Sequence, residues 1–211
     1  MTIELIEDAI RRARNHESCL DASVLEVPGF STGVMRRLVS NLCEHAKCYV
    51  EVGAYCGGTA CAAINNKVGL TAIIFEDFSQ SFGRDDVRAQ LEQHLMGTAK
   101  GPGAYTELVE KNYLMALDHI TEPVDIYFYD GLHTYDAQRE ALPSMLSKLA
   151  KKFLFLVDDF NWDDVRRGTD DSIEALKDSV GVRNAWHLRG QKIQDDPIYH
   201  NGFAIFACEK L

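Results

Sequence analysis

The sequence predicts an α/β domain built around a mainly parallel sheet, and two observations support this fold class. Short apolar runs of strand length alternate with longer segments whose apolar residues recur at the helical period. Such alternation implies right-handed crossovers between parallel strands of one sheet. The chain of 211 residues also suits one domain with a full core, over residues 1–211, and leaves little room for a second.

The N-terminal part of the chain predicts two helices ahead of the first strand. Residues 2–16 carry apolar side chains at a helical period, and Pro28-Gly29 marks a turn. A second helix is expected to follow, with Ser31 or Thr32 as its N-cap. Residues 1–46 are therefore predicted to form a helical cap on the sheet.

From residue 48 onward, strands and helices alternate. Strands are predicted over residues 48–52, 71–75, 107–110, 124–129, 153–157, 185–188 and 203–208. Helices are predicted between them over residues 59–65, 85–95, 136–149 and 172–179, the last with Asp170 or Asp171 near its N-cap. Because residues 189–201 show no helical period, the last two strands are expected to form a terminal antiparallel hairpin.

Composition and charge exclude several classes of protein. The chain is 46% apolar and 26% charged, an ordinary globular balance, and its longest apolar runs are too short to cross a bilayer. The first ten residues carry three acids and no basic segment, so no signal peptide and a cytoplasmic location are expected. The net charge of −10 disfavours nucleic acid as a partner, and a homodimer is compatible with the sequence.

Cysteine and histidine usage gives few further sites. The six cysteines form no C-x-x-C pair, so they are interpreted as reduced and mostly buried thiols rather than zinc ligands or disulfides. One histidine, His133, follows a strand end and is discussed below. The others are expected to be structural or at the surface: His16, His45, His94, His119, His187 and His200.

Acidic residues follow most of the predicted parallel strands. In an open parallel sheet, ligands bind at the carboxyl ends of the strands. The residues at those ends are Glu51-Val-Gly53, Glu76-Asp77, Glu110-Lys-Asn112, Asp130-Gly131 and Asp158-Asp159. So many carboxylates along one edge repel one another unless cations or hydroxyl groups engage them, which predicts a functional site at this edge.

A glycine-rich turn follows the first strand. Gly53 and Gly57 permit a tight turn and close approach of a ligand to the backbone, and Thr59 begins the next helix. The turn by itself suits a dinucleotide, another nucleoside or no ligand at all. The G-x-x-x-G spacing and the preceding Glu51 favour a nucleoside without a pyrophosphate, since a carboxylate there suits an ammonium group and opposes a phosphate.

Glu76 ends the second strand about 23 residues beyond Gly53. An acid at this place can accept hydrogen bonds from both ribose hydroxyls of a nucleoside. Its alternative role is a helix-capping or solvated carboxylate.

Three segments resemble class I S-adenosylmethionine-dependent methyltransferases. Residues 51–59 are similar to their motif I, E-x-G-x-x-x-G-x-[ST]. Residues 124–135 resemble the strand and D-G-x-H-x-Y segment of the small-molecule group called methyltransferase family 24, and residues 155–160 resemble that group's fifth strand with its acidic pair. The resemblance extends from about residue 27 to the C-terminus and is specific in the order and spacing of its motifs.

This resemblance implies a Rossmann-like methyltransferase fold: a seven-stranded sheet of order 3-2-1-4-5-7-6 with the last strand antiparallel. It implies methyl transfer from S-adenosylmethionine to a small-molecule acceptor, and a hydroxyl is the expected methyl acceptor. Carried over by position, Glu51, Gly53 and Gly57 would contact the methionine part and Glu76 the ribose. The full expected cofactor set is Glu51, Gly53, Gly57, Thr59, Glu76, Asn112 and Asp130. Asn112 stands where many members have an acid beside adenine, so that contact stays open.

The resemblance and the strand ends also suggest catalytic groups. Asp130, Asp158 and Asp159 end adjacent strands about 5 Å apart, so their carboxylates could converge on Mg²⁺ or Ca²⁺. In the alternative interpretation, Asp159 and Asp163 cap the next helix and Asp130 serves a turn. His133 lies three residues past Asp130, where it is a candidate general base alongside Asp130, or a residue that orients Asp130 or substrate. Trp162 is a candidate wall of the acceptor pocket, and its alternative role is ordinary packing near the loop.

Three rival functions remain open at this stage. The first is a hydroxylase-like or sugar-modifying enzyme on the same scaffold, because fold does not fix chemistry. The second is a nicotinamide-dependent oxidoreductase, disfavoured by the glycine spacing and by Glu51. The third is a non-catalytic nucleoside-binding protein. The acceptor pocket is expected between the N-terminal helices, residues 79–103 and the loop after Asp159.

Overall fold

The computed structural model describes residues 1–80, 82–189 and 198–211. These residues contain one seven-stranded sheet of order β3-β2-β1-β4-β5-β7-β6, which confirms the order implied by the resemblance. The strands are β1 (Cys48–Val52), β2 (Thr71–Phe75), β3 (Tyr105–Val109), β4 (Val124–Tyr129), β5 (Leu149–Asp158), β6 (Val180–Leu188) and β7 (Phe203–Lys210). Strands β1 to β5 pair in parallel, whereas β7 pairs antiparallel with both β5 and β6.

Seven α-helices surround this sheet in the described part of the chain. They are α1 (Ile3–Arg14), α2 (Ala22–Leu25), α3 (Gly33–Cys43), α4 (Gly58–Ile64), α5 (Val87–Gly97), α6 (Tyr135–Met145) and α7 (Asp163–Ala175). Of the two N-caps predicted for α3, Ser31 and Thr32, the structure has Thr32, whose side chain accepts a hydrogen bond from the Met35 N–H. None of the described helices has the length and apolarity needed to cross a membrane.

The buried side chains form two cores, one on each face of the sheet. Strand β1 shows how the chain divides between them, because successive side chains of a strand point to opposite faces. Tyr49 packs in the core with α1, α3 and α4, while Val50 and Val52 pack in the core with α6. Five of the six cysteines are buried, as expected, and Cys19 is exposed.

The helix predicted over residues 172–179 is wrong at both ends, since α7 spans Asp163–Ala175. Helix α7 begins at Asp163, with Trp162 rather than Asp170 or Asp171 at the N-cap position. Its first two turns are mostly polar and contain Gly168, so they show no apolar helical period. Gly168 is required by packing: a Cβ there would lie 2.5 Å from the backbone oxygen of Tyr135, since α6 and α7 cross closely at this point.

Other boundaries differ for similar reasons. Helix α6 ends at Met145, two residues after its Pro143, and the chain enters β5 at Leu149 instead of residue 153. Strand β6 begins at Val180 instead of residue 185, because the exposed side chains of its first half lack an apolar run. The terminal hairpin is present as predicted, but residues 190–197 of its loop lie outside the described residues.

Candidate active site at the carboxyl edge of the sheet

A pocket of about 490 Å³ lies at the carboxyl ends of β1, β2, β4 and β5. This volume is in the range of small-molecule sites. Most of the residues predicted for the site line it: Gly53, Thr59, Glu76, Asn112, Asp130, His133, Asp158, Asp159 and Trp162. Glu51 and Gly57 are not among the lining residues.

The glycine-rich turn packs closely against the backbone at the end of β4. Gly53 has a φ of +87°, and a Cβ on it would lie 2.0 Å from the backbone oxygen of Asp130. The Gly53 N–H donates to the Phe75 oxygen over 2.9 Å, and the Asp130 N–H donates to the Val52 oxygen over 2.9 Å. The bare backbone of Gly53 therefore fixes the position from which Asp130 enters the pocket.

Glu51 lies behind this turn, fully buried between β1 and α4. Its carboxylate accepts hydrogen bonds from the Tyr49 hydroxyl over 2.6 Å and from the Thr59 hydroxyl over 2.5 Å. Burial raises the pKa of Glu51 to about 7, although both hydroxyls act to lower it. The carboxylate thus supports the turn from inside, and its contact with a methionine group stays a prediction.

The raised pKa of Glu51 predicts a pH-dependent stability. Between its ordinary value of 4.5 and about 7, the folded chain keeps a proton that the unfolded chain has released. This carboxyl therefore stabilises the fold fully below pH 4.5, and the contribution is lost as the pH rises through 7. We expect Glu51→Gln to gain about 3 kcal/mol of unfolding free energy relative to the wild type between pH 4 and pH 8, measured by urea unfolding.

A carboxyl with the opposite shift is the control for this prediction. The Arg12 guanidinium donates to both oxygens of Glu44 and lowers the pKa of Glu44. Glu44→Gln should therefore lose stability relative to the wild type as the pH rises through the titration of this carboxyl. If both substitutions changed stability with pH in the same direction, the role assigned to buried Glu51 would be contradicted.

Glu76 connects the glycine-rich turn to the loop after β2. Its Oε2 accepts the Tyr55 N–H over 2.8 Å, and its Oε1 accepts the Phe78 N–H over 2.9 Å. Burial raises the pKa of Glu76, against the lowering effect of these backbone donors. Each carboxylate oxygen has a second lone pair, so Glu76 can accept two further hydrogen bonds from a ligand in the pocket.

Asn112 lies at the end of β3, where it caps a short 3₁₀ turn over Tyr113–Met115. Its side-chain oxygen accepts a hydrogen bond from the Leu114 N–H over 3.0 Å. Asn112 lines the pocket, where its side-chain nitrogen can donate a hydrogen bond but its uncharged carboxamide cannot act as an acid.

His133 lies between two of the predicted metal-binding carboxylates. Its Nε2 is 3.4 Å from Asp130 Oδ1 and 3.2 Å from Asp159 Oδ2, within ion-pair distance of both but in hydrogen-bond geometry with neither. The His133 ring also lies 5.4 Å from the ring of Trp162, between centroids. Asp159 has a φ of +53°, a left-handed conformation that Asp adopts more readily than most residues.

Two buried carboxylate oxygens at this end of the pocket have no donor. Asp158 Oδ1 and Asp159 Oδ1 accept no hydrogen bond from the described residues. Burial raises the pKa of Asp158 and of Asp130 well above the ordinary value, and the neighbouring carboxylates add to both shifts. The site therefore contains strong acceptors that can bind a hydrogen-bond donor of a ligand or take up a proton.

The metal site predicted on Asp130, Asp158 and Asp159 is not supported by this geometry. In the described part of the chain, no group of three or more His, Cys, Asp or Glu side chains is arranged to hold a metal ion. The imidazole of His133 lies where the carboxylates of Asp130 and Asp159 approach each other, so those two groups converge on a nitrogen base.

An aromatic cluster at the rim of the pocket was not anticipated from the sequence. The Phe30 ring stacks on Tyr55 at 5.2 Å, meets Phe82 edge-on at 5.4 Å and lies 6.4 Å from His200, between centroids. His200 was expected to be structural or at the surface, but it lines the pocket. The four rings come from four distant segments with no common motif, so no sequence signal joins them.

Comparison with known proteins identifies relatives of this architecture. A family model described as a methyltransferase domain, that of methyltransferase family 24, matches residues 50–160. Similar solved structures include an O-methyltransferase from Bacillus cereus in complex with S-adenosylhomocysteine, at 13% identity and a TM-score of 0.60, with 98% of this chain and 91% of that chain covered. No curated protein matches the chain.

Two further structures share the fold. The O-methyltransferase TomG from Streptomyces achromogenes, involved in tomaymycin synthesis and bound to S-adenosylmethionine, is 14% identical with a TM-score of 0.55, covering 100% of this chain and 91% of that one. An S-adenosylhomocysteine-bound methyltransferase from Podospora anserina is 14% identical with a TM-score of 0.56, covering 97% and 88%. At these identities the likeness establishes the fold.

Proposed function

The chain belongs to methyltransferase family 24, and on that premise we propose that it transfers a methyl group from S-adenosylmethionine to a hydroxyl of a small molecule. One observation carries the choice of a hydroxyl acceptor. Asp158 Oδ1 and Asp159 Oδ1 are buried acceptors that receive no hydrogen bond from the described residues, and Asp159 lies beside the imidazole of His133. An unsatisfied buried acceptor costs about 1–3 kcal/mol, and a bound hydroxyl supplies the missing donor.

The residues around the glycine-rich turn fit the proposed cofactor. The turn at Gly53 leaves bare backbone on the pocket wall, and Glu76 keeps free lone pairs for the ribose hydroxyls. Asn112 lies at the end of β3, on the side proposed for adenine. When bound there, S-adenosylmethionine supplies an electrophilic methyl group on its sulfonium.

The proposed chemistry on the protein side is positioning and removal of one proton. His133 accepts the proton of the acceptor hydroxyl at Nε2, and the carboxylates of Asp159 and Asp130 stabilise the charged imidazole. The Asp158 and Asp159 oxygens orient the acceptor, and Trp162 walls it from solvent. Fixing the reactants in this way lowers the barrier by roughly 7–11 kcal/mol in favourable cases.

Assistance by Mg²⁺ or Ca²⁺ is left out of this proposal, because the described residues offer no preformed ligand set for it. The net charge of −10 supports a small-molecule acceptor over a nucleic acid. The cytoplasmic location and the homodimer stay predictions.

The proposed cofactor is tested by thermal unfolding with S-adenosylhomocysteine. A ligand that binds only the folded chain raises the melting temperature by mass action, so millimolar S-adenosylhomocysteine should raise it by several degrees. Glu76→Ala should remove most of this rise, because the ribose loses its acceptor. Each shift is measured against the same variant without ligand, so any loss of intrinsic stability cancels.

The matched control is Glu92→Ala, which removes an exposed carboxylate on α5 that pairs with Arg88 and does not line the pocket. It should keep the full ligand-induced rise. A wild type that is indifferent to S-adenosylhomocysteine, or that responds to NAD instead, would exclude the methyltransferase proposal.

A further inference from the structure

Arg36 is a buried cation that has no anionic partner among the described residues. Its side chain is on α3, and the residue is only 3% exposed. The guanidinium donates from Nε to the Ser31 hydroxyl over 2.9 Å, and from Nη1 to the Val24 and Leu25 carbonyl oxygens over 3.0 Å each. All of these partners are neutral, and Nη2 donates to no group in residues 1–80, 82–189 or 198–211.

The free end of this guanidinium lies directly behind residues that line the pocket, although Arg36 is not itself a lining residue. A Cβ added to Gly58 would be 2.7 Å from Arg36 Nη2, and one added to Gly29 would be 3.6 Å from the same atom. Gly29, Ser31 and Gly58 all line the pocket. Nη2 is therefore next to the glycine-rich turn.

An uncompensated buried charge is costly, and burial lowers the pKa of Arg36. The two N–H groups of Nη2 stay available to a ligand, and a carboxylate accepts strong, charge-assisted hydrogen bonds from such donors. The rest of the pocket edge is acidic, and Lys111 on the β3 side is the only lysine or arginine among the described lining residues. A ligand carboxylate next to the glycine-rich turn thus has Arg36 as its available counter-charge.

We propose that Arg36 binds the α-carboxylate of the methionyl group of S-adenosylmethionine. This inference rests on the proposed function and adds a cofactor-binding residue that lies before motif I, in the N-terminal cap. It also accounts for the second glycine of the Gly57-Gly58 pair, since any side chain at residue 58 would displace the guanidinium.

The test compares two ligands on three proteins by isothermal titration calorimetry. S-adenosylhomocysteine carries the α-carboxylate, and 5′-methylthioadenosine keeps the nucleoside and sulfur but lacks the amino-acid group. For Arg36→Gln we expect S-adenosylhomocysteine to bind roughly 10- to 150-fold more weakly, the range for a charge-assisted hydrogen bond, and 5′-methylthioadenosine to change by less than about 3-fold. Arg37→Gln is the matched control, since Arg37 donates to the Gly33 oxygen of its own helix; it should change neither affinity.

Equal weakening of both ligands by Arg36→Gln, or no weakening of either, would overturn the inference. Arg36→Lys covers the case in which Arg36→Gln fails to fold: it keeps the charge but loses the planar fork, so the preference for S-adenosylhomocysteine should fall only partly. The affinities of the wild-type protein for the two ligands provide a separate test. Equal affinity for the two ligands would overturn the role of Arg36 alone, whereas binding of neither would overturn the proposed function itself.

Discussion

Replacing His133 with alanine is expected to lower the single-turnover rate of methyl transfer roughly 10²- to 10⁴-fold, the usual contribution of a general base. The reason is the position of its Nε2, 3.2 Å from Asp159 and 3.4 Å from Asp130, at the end of the pocket where buried acceptors lack donors. The affinity for S-adenosylhomocysteine should change little. Rapid-quench measurement with a labelled methyl donor and an accepted hydroxyl compound gives the rate, and calorimetry gives the affinity.

Two controls separate the base from its alternatives. His187→Ala removes a ring that packs against Phe160 and Phe206 and does not line the pocket, so turnover per folded molecule should persist. Turnover by the wild type should also survive EDTA, because no step of the proposed mechanism depends on a metal. Two results would contradict the role of His133: activity of His133→Ala, or loss of wild-type activity in EDTA that Mg²⁺ restores. Either result would instead assign catalysis to the carboxylates of Asp130, Asp158 and Asp159.

The sequence predicted the strand ends well, because fully buried parallel strands are short apolar runs with abrupt boundaries. Strands β1, β2 and β4 have the predicted bounds, so Gly53, Glu76 and Asp130 were correctly expected at one edge of the sheet. Segments that depend on contacts with other elements were predicted poorly. Helix α7 is an example: its early turns are polar, and Gly168 is explained only by the crossing with α6.

The same reason explains why Arg36 and the aromatic cluster at the pocket rim were not predicted. In the sequence, Arg36 cannot be told apart from the other polar residues of an amphipathic helix. Only its burial and its closeness to Gly58, which the structure shows, distinguish it from them. Phe30 and His200 meet across 170 positions of sequence, and no spacing rule joins them. The sequence pointed to Glu51, yet its hydrogen-bond donors Tyr49 and Thr59 could be recognised only in the structure.

Gly53→Ala is expected to destabilise the fold by about 2–5 kcal/mol and to abolish the rise in melting temperature with S-adenosylhomocysteine. An alanine at φ +87° costs about 1–2 kcal/mol by its backbone conformation alone. Its Cβ would also lie 2.0 Å from the Asp130 oxygen, and overpacking of this kind adds about 1–3 kcal/mol. The clash cannot be relieved locally, because hydrogen bonds to Phe75 and Val52 hold both backbones in place.

Gly69→Ala isolates the backbone cost from the clash. Gly69 also has a positive φ, +64°, but a Cβ there would meet nothing within 4 Å. This variant should therefore lose only about 1–2 kcal/mol and keep its full response to S-adenosylhomocysteine. Urea unfolding gives the two free energies, and thermal unfolding with and without ligand gives the response. The added methyl group of Gly53→Ala pushes on the segment that carries Asp130. If Gly53→Ala were as stable as Gly69→Ala and still bound S-adenosylhomocysteine, the contact between the glycine-rich turn and the end of β4 would not determine the shape of the pocket.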